Sequence, residues 1–499
     1  LVLPTNKSGT ASKSPRLLTR AFFVGVKVMN IKPSIENFRK IEPGEYDLVP
    51  LKAVFLADRF TPVSVTELFQ DKKPLILLES AEKGERWGRF SFLIFDVEKV
   101  IAINEFTDVI GKLERTFPPR KLYPGLETSF KGGAVGFLSY DAVKTWEKTV
   151  PRKPLSYPLA YFVESRRFVY FDHLRHQIGI VYLAQAGNEK DYQQGKAWIE
   201  EVWERISASQ RISEDDEFSI QGEVCSNFEE EAFKKAVSKV IDYIIEGHAS
   251  QVVISQRFSV PYQGNPFTVY RFLRSLNPSP YLFYLNTDHF QLVGSSPEML
   301  VKLENGKAVT KPIAGTRKRL PNIPEDAIIK DLLDDEKENA EHVMLLDLGR
   351  NDLGRVCIPG TVKVEEFMEV ERYSHVFHIV STVSGMVPEG SSAWKLLQAC
   401  FPAGTVSGAP KVRAMEIIEE IEPDARGPYA GALGYVGFDG NMDTCIIIRT
   451  LFFKDGLASV QAGAGIVYDS KPQNEYEETV SKAQALLTAL KMAEGRIKA

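Results

Sequence analysis

From about Tyr46 to Leu183, short apolar or aromatic runs alternate with turn residues. Pro74–Ser80 (PLILLES), Phe90–Phe95 (FSFLIF) and Arg166–Asp172 (RRFVYFD) read as strands. Lys131–Asp141 (KGGAVGFLSYD) adds glycines of the kind found where backbones approach closely. The period then changes. A helical stretch covers Lys190–Ala208, and a polar, acidic linker follows over Ser209–Asn227. Phe228–Gly247 (FEEEAFKKAVSKVIDYIIEG) carries apolar residues at helical spacing and ends on a glycine suited to stop a helix. Strands and helices mix from there on, with no internal repeat. Runs of strands separated by few helices predict an α+β fold of large antiparallel sheets packed with helices, not a doubly wound parallel sheet. The linker divides the chain into a lobe over residues 36–215 and a second domain over residues 228–495.

Composition narrows the class. With 499 residues the chain is too long for one simple core. No apolar run reaches the roughly 18 residues a membrane helix needs, and the net charge of -5 argues against a mainly electrostatic nucleic-acid binder. Cys225, Cys357, Cys400 and Cys445 are far apart and form no CxxC pair. A zinc site or disulfide framework is therefore not expected, and a reducing, cytoplasmic setting is. Residues 1–35 differ, with six Lys or Arg and no acid. They read as a leader to be set aside, with Met29 as a native start. If they are instead a targeting segment, the destination is an organelle.

Candidate chemistry gathers in the second half. Phe401–Glu416 (FPAGTVSGAPKVRAME) places glycines, prolines and hydroxyls before a helix-forming run, an arrangement suited to holding an anion at a helix N-terminus. It is not a nucleotide phosphate loop, because Gly404 and Gly408 are four apart and Val412, not a hydroxyl residue, follows Lys411. Thr405 beside two glycines points to a small anion such as a carboxylate. In Asp331–Gly354, the residues Leu333, Ala340, Val343, Met344 and Asp347 fall on one side of a helix, with Glu338 and Glu341 near its edge. Asn474–Leu490 repeats the arrangement with Tyr476, Val480, Ala483 and Leu487 as the stripe, and Glu475 and Glu478 as the acids. Two such carboxylate pairs could hold a hard cation, although acidic pairs are ordinarily solvated and Glu478–Lys482 has the spacing of a surface ion pair. His378 lies on a β-branched run, where it is either a general acid or base or a half-buried structural histidine. Arg449 ends another strand, and its fork wants a carboxylate or phosphate.

Pro312–Arg319 (PIAGTRKR), Glu341–Val356 (EHVMLLDLGRNDLGRV), Phe401–Ile417 and Gln461–Thr479 (QAGAGIVYDSKPQNEYEET) occur in one order. They resemble the chorismate-utilising enzymes, most closely their anthranilate synthase component I branch, over about Leu48 to Ala493. The resemblance implies a two-lobed fold and chorismate, a dicarboxylate, as substrate. It implies Mg2+ held by Glu341 and Glu478 with Glu338 and Glu475 in support. Arg449, Tyr429 and the backbone N–H groups of Gly463, Ala464 and Gly465 match positions that hold the enolpyruvyl carboxylate. Thr405, Lys482, Gly315 and Thr316 match further substrate-contacting positions, and His378 matches the acid/base histidine near the C4 oxygen.

Two positions separate the branches. Gln251 stands where water-using relatives carry a lysine base; a neutral amide cannot deprotonate water, so the nucleophile must already be reactive, as ammonia is. Ala314 stands where aminodeoxychorismate synthases carry a nucleophilic lysine. The resemblance therefore implies ammonia addition at C2, loss of hydroxide from C4 and elimination of pyruvate, giving anthranilate for tryptophan synthesis. No cysteine lies in a G-x-C-x-G elbow, so a separate glutaminase subunit and a hetero-oligomer are expected. Leu77–Phe92 and Asn277–Leu285 resemble a tryptophan-feedback site. Glu79 and Ser80 would meet the amino acid's polar groups, and Pro278, Ser279, Pro280 and Tyr281 the other side; Leu282 replaces the methionine of many relatives. Two rivals remain: an enzyme that stops at the amino intermediate, and a tryptophan-sensing protein on an inactive scaffold.

Overall fold

Alternation along the strands decides which core each side chain joins. In Leu75–Glu79, Leu75 and Leu77 enter one apolar cluster and Ile76 another; in Tyr281–Asn286, Leu282 and Tyr284 join the first and Phe283 and Leu285 the second. Successive side chains of a strand leave on opposite faces, so this sheet is covered on both sides. The structure, a computed structural model, describes residues 29–81, 88–209, 217–320, 322–372 and 376–495. Within them two large antiparallel sheets pack with helices, as the strand-rich pattern predicts. The first runs from Leu48–Leu56 through Leu75–Glu79, Tyr281–Asn286, Gln291–Ser296, Thr450–Lys454 and Leu457–Ile466 to Gln251–Gly264 and its edge. The second runs from Ile313–Lys318 and Val376–Met386 through Met299–Glu304, Met442–Ile446 and Ala432–Gly437 to Gly133–Leu138 and Lys99–Ile103. One core lies between the sheets, joining Phe92 and Phe283 of the first to Phe137, Phe162 and Leu433 of the second. The outer face of the first sheet is covered by the helices Glu189–Ser207, Pro266–Leu276 and Pro472–Ala493.

Both sheets run across the division expected near residues 209–227. Leu75–Glu79 pairs with Tyr281–Asn286, and Gly133–Leu138 pairs with Ala432–Gly437. Part of the polar stretch read as linker is sheet edge, with Phe218–Ile220 and Cys225–Ser226 on Gln251–Gly264. At the other end, the stretch set aside as a leader overlaps the fold: Ile31 is buried and Lys32 exchanges two backbone hydrogen bonds with Lys52. Residues 1–28 lie outside the described residues. No helix among the described residues is long and apolar enough to cross a membrane.

Helix ends follow local chemistry. The helix Glu230–Ile245 stops where Gly247 takes φ +81; Gly247 N–H donates to Ile244 O and His248 N–H to Tyr243 O, the paired bonds of a Schellman stop. Asp331–Gly354 is two helices, not one. Glu325–Leu333 ends, and Asp335 caps Glu336–Gly354 by accepting from the N–H groups of Lys337 and Glu338. The buried face of that second helix corrects the stripe read from the sequence. His342, Leu345, Leu346 and Leu353 are buried, whereas Leu333, Ala340, Val343 and Asp347 are exposed. Glu338 and Glu341, half-buried, therefore lie on the inner side.

Candidate functional site

A bulge builds the first corner of the site. Ala314 pairs with Ile379 and Thr316 with His378, so Gly315 is the extra residue between them, at φ +72. Its carbonyl swings to His378 Nδ1 at 2.9 Å, and Thr316 Oγ1 lies 3.0 Å from the same nitrogen. A carbonyl only accepts, so Nδ1 carries the proton and Nε2 is the atom for acid–base exchange. Burial lowers the His378 pKa below its usual value; the Gly315 carbonyl opposes this and the charge of Arg449 adds to it. The imidazole is thus neutral at physiological pH. A Cβ on Gly315 would meet Glu338 Oε2 at 3.2 Å, so the bulge also abuts the acid-bearing helix.

The four acids lie on two helices, Glu336–Gly354 and Pro472–Ala493, and the charge of Glu478 is felt at Glu341. Gln251 Nε2 donates to Glu341 Oε1 at 3.1 Å. Burial raises the Glu341 pKa, with Glu338 and Glu478 adding to it and Gln251 and Lys482 opposing. Burial likewise raises Glu475, and Glu478 adds to that rise. Partly buried carboxylates that repel one another are a donor set a hard cation would relieve. As they stand, two of them have cationic partners. Arg317 holds Glu338 at 3.0 Å and Lys482 holds Glu478 at 2.6 Å, and among the described residues no three acids, histidines or cysteines are set to hold a metal. The spacing that reads as an i,i+4 ion pair is therefore one, and Lys482 also donates to Gly463 O at 3.0 Å.

That carbonyl belongs to the glycine-bearing edge expected to hold an anion. The ladder between Thr450–Lys454 and Leu457–Ile466 ends at Val460, leaving one side of the later residues without a strand. Val253 and Ser255 oppose Gly465 and Gly463, yet their N–H groups point the other way, to Ser407 O and Glu422 Oε1. In an antiparallel ladder such pairs are the non-hydrogen-bonded ones. The N–H groups of Gly463 and Gly465 therefore face the open side. Ala464 opposes Ile254 in the alternate, bonded class, so its N–H belongs to the ladder; the cradle expected from three amides is built from two. Glycine is required, since a Cβ on Gly463 would come within 2.8 Å of Tyr429 Oη and one on Gly465 within 2.5 Å of Gln251 Nε2. Arg449, half-buried at φ +51 just before the strand Thr450–Lys454, has no carboxylate partner among the described residues, and burial lowers its pKa. Burial also pushes Tyr429 up to about 12, keeping it a neutral donor. Contacts or close approaches join Glu341 to Gln251, Gln251 to Gly465, Gly463 to Tyr429, and His378 through Gly315 to Glu338, and the charge of Arg449 is felt at both Tyr429 and His378.

Thr405 enters this site differently from expectation. The helix Lys411–Ile421 begins six residues after it, and the intervening loop is spent on the strand Gln251–Gly264 through Ser407 O and Ala409 O. Thr405 Oγ1 instead donates to Glu298 Oε1 at 2.9 Å. Sequence reasoning passed over Glu298. Burial raises its pKa to about 8, against Thr405 and Lys482, so it is protonated at neutral pH. The signal available was one acid in GSSPEML, between the strands Gln291–Ser296 and Met299–Glu304.

A separate cavity of about 790 Å³ is lined by Ser80, Pro280, Tyr281, Leu282, Leu433, Tyr435, Asp443 and Cys445, among others. Ser80 Oγ is buried there with no hydrogen-bond partner among the described residues. Tyr281 Oη donates to Asp443 at 2.9 Å, and burial raises Asp443 to about 6. Glu79 also lines this cavity, and its carboxylate is held by Tyr270 at 2.5 Å and Arg274 at 3.0 Å. Two expectations are corrected. Pro278 is exposed and away from the cavity, and Ser279 is buried against Ser295 Oγ at 2.8 Å. Met299 lines both this cavity and the small recess holding Glu298 and Thr405. Residues 82–87 of the expected feedback stretch lie outside the described residues.

A fold of two antiparallel sheets carrying this site matches a family model described as chorismate binding enzyme, over residues 74–488. The chain is 44% identical to anthranilate synthase component 1 of Aquifex aeolicus over 496 residues, covering 93% of this chain and 99% of that one. It is 43% identical to the protein of the same name from Pseudomonas aeruginosa over 487 residues, covering 92% and 99%. The solved anthranilate synthase component I of Streptococcus pneumoniae superposes with a TM-score of 0.74 at 35% identity, covering 87% of this chain and 98% of that one. The menaquinone-specific isochorismate synthase of Escherichia coli shares the fold at a TM-score of 0.71 and 18% identity, covering 91% and 97%. The chain belongs to the chorismate binding enzymes and, within them, to the anthranilate synthase component 1 family.

Proposed function

We propose that the chain converts chorismate and ammonia to anthranilate, pyruvate and water, the entry step of tryptophan synthesis, as a magnesium-dependent lyase. The observation that carries the reading is the gathering of Glu341, Gln251, Gly465, Tyr429, Arg449 and His378 from well-separated stretches of the chain. Arg449 and the N–H groups of Gly463 and Gly465 bind the enolpyruvyl carboxylate. Glu341 and Glu478, supported by Glu338 and Glu475, would hold magnesium, which supplies positive charge against the ring carboxylate. Ammonia forms the C2–N bond as the ring double bonds shift and the C4–O bond breaks. Glu298, protonated, gives the leaving hydroxyl its proton, so it departs as water. Loss of the C2 proton with cleavage of the C3–O bond then makes the ring aromatic and releases the pyruvate enolate, which takes a proton to become pyruvate. Neutral His378 takes up the C2 proton at Nε2. Gln251 is held to Glu341 and carries no basic nitrogen, so water is not activated and the nucleophile is ammonia.

Glutamine hydrolysis belongs to a separate glutaminase subunit, since no cysteine context here forms a nucleophile elbow. Tryptophan inhibits from the second cavity, where Ser80 offers a buried hydroxyl and Pro280 and Tyr281 an apolar wall. The test is direct. Purified chain given chorismate, magnesium and ammonium at alkaline pH yields fluorescent anthranilate and equimolar pyruvate, and glutamine in place of ammonium yields none. Salicylate, or no aromatic product, overturns the reading.

A further inference from the structure

Arg426 heads the fully buried side chains, at 1% exposure, and all three of its side-chain nitrogens donate. Nε donates to Glu422 Oε2 at 3.0 Å and Nη2 to Glu422 Oε1 at 2.7 Å. Nη1 donates to Val406 O and Nη2 to Val253 O, both at 2.7 Å. Glu422 Oε1 also accepts from Ser255 N–H at 2.7 Å and Ser255 Oγ at 2.8 Å. The guanidinium carbon lies 5.5 Å from the Tyr429 ring centre and 4.7 Å from that of Tyr140. These contacts fall on three separate pieces of the site. Val406 follows Thr405. Val253 and Ser255 lie opposite Gly465 and Gly463 and follow Gln251. Tyr429 stands over Gly463. A planar fork meets two carbonyls and a carboxylate at set angles, which the point charge of a lysine does not reproduce. Glu422 keeps the buried charge paired. Neither Arg426 nor Glu422 has been given a role in the reaction.

We infer that Arg426 and Glu422 form a positioning pair that sets Thr405, the glycine edge and Tyr429 against one another for the substrate's carboxylate. The inference rests on the chorismate reading of the site. The pair touches no reacting atom; it acts through the walls it joins.

The test uses the full chain with chorismate, magnesium and ammonium. Arg426→Lys keeps the charge and loses the fork. Since misplacement of about 1 Å costs about 100-fold, kcat/KM for chorismate should fall by about that factor, chiefly through KM. The effect of Thr405→Ala, large in the wild type, should shrink to about 2-fold or less in the Arg426→Lys background, because the two changes act on one arrangement. Unchanged KM in folded Arg426→Lys, or strictly multiplicative effects in the double variant, overturns the pair. If Arg426→Lys does not fold, Ser255→Ala serves. It loosens Glu422 without removing charge and should raise KM for chorismate several-fold, and an unchanged KM there overturns the pair equally. A wild type that makes no anthranilate overturns the functional reading itself, an outcome separate from active wild type with indifferent variants.

Discussion

Glu298 and Glu341 are both carboxylates whose pKa burial raises, but their surroundings assign them opposite duties. Glu298 meets a hydroxyl and a distant lysine, rises to about 8 and stays protonated. Glu341 meets an amide and two further acids, a donor set suited to a cation. Replacing Glu298 with Gln should lower kcat by about 100-fold or more, the usual loss for a general acid, and wild-type kcat at saturating ammonia should decline as pH rises through about 8. The same group affects stability. Its folded pKa lies above the ordinary 4.5, so its contribution is full below about 4.5 and is lost as pH rises towards 8. Melting temperatures of wild type and Glu298→Gln should therefore diverge between pH 5 and pH 9, the variant being the more stable at the alkaline end. Parallel curves would refute the buried acid. Glu341→Gln should abolish anthranilate formation at every magnesium concentration while holding or raising the melting temperature above neutral pH, since it removes a like charge from a partly buried cluster. Wild-type turnover with unchanged magnesium dependence would refute the metal assignment.

Among the elements, the bulge at Gly315 couples backbone conformation to the orientation of the His378 ring. Glycine takes φ +72 freely, whereas an alanine there costs about 1–2 kcal/mol and brings a Cβ to 3.2 Å from Glu338 and Leu332. The larger effect should be chemical. Relaxing the bulge turns the carbonyl away from His378 Nδ1 and frees the imidazole tautomer. Gly315→Ala should lower kcat well beyond its modest loss of thermal stability, and nitrogen NMR of His378 should show a mixture of tautomers. A single unchanged tautomer with normal kcat would show that the bulge is only structural.

For the molecule as a whole, the two cavities share a wall. Met299 lines both of them, and its neighbour Glu298 lines only the smaller one. A ligand that prefers one arrangement of this wall must shift the other site, and the coupling is reciprocal. Ser80→Phe should fill the larger cavity and weaken tryptophan inhibition by about 10-fold or more, with uninhibited turnover nearly unchanged; in the wild type, chorismate should weaken tryptophan binding measured by calorimetry. Full tryptophan sensitivity in Ser80→Phe would remove the cavity from the regulatory reading.

The strands at Leu75–Glu79, Phe90–Ile94 and Arg167–Asp172 and the helix Glu230–Ile245 were legible in the sequence because each is decided by residues within a few positions. So was the choice of residue types, with four acids on two helices, a histidine on a strand and an arginine at a strand end. What faces inward was not. The apolar stripe of Leu333, Ala340 and Val343 is exposed because the helix is turned by packing against Val376–Met386 and Ile313–Lys318, which its own periodicity does not record. Likewise, only the register opposite Gln251–Gly264 separates the N–H groups of Gly463 and Gly465 from that of Ala464. Tyr270 and Arg274 claim Glu79, and the pairing of Glu298 with Thr405 and of Arg426 with Val253 joins residues more than a hundred positions apart. The sequence alone determined which chemical groups are present and the local elements that carry them. Burial, register and partnership, which set protonation and orientation, arise only when distant segments exclude water together.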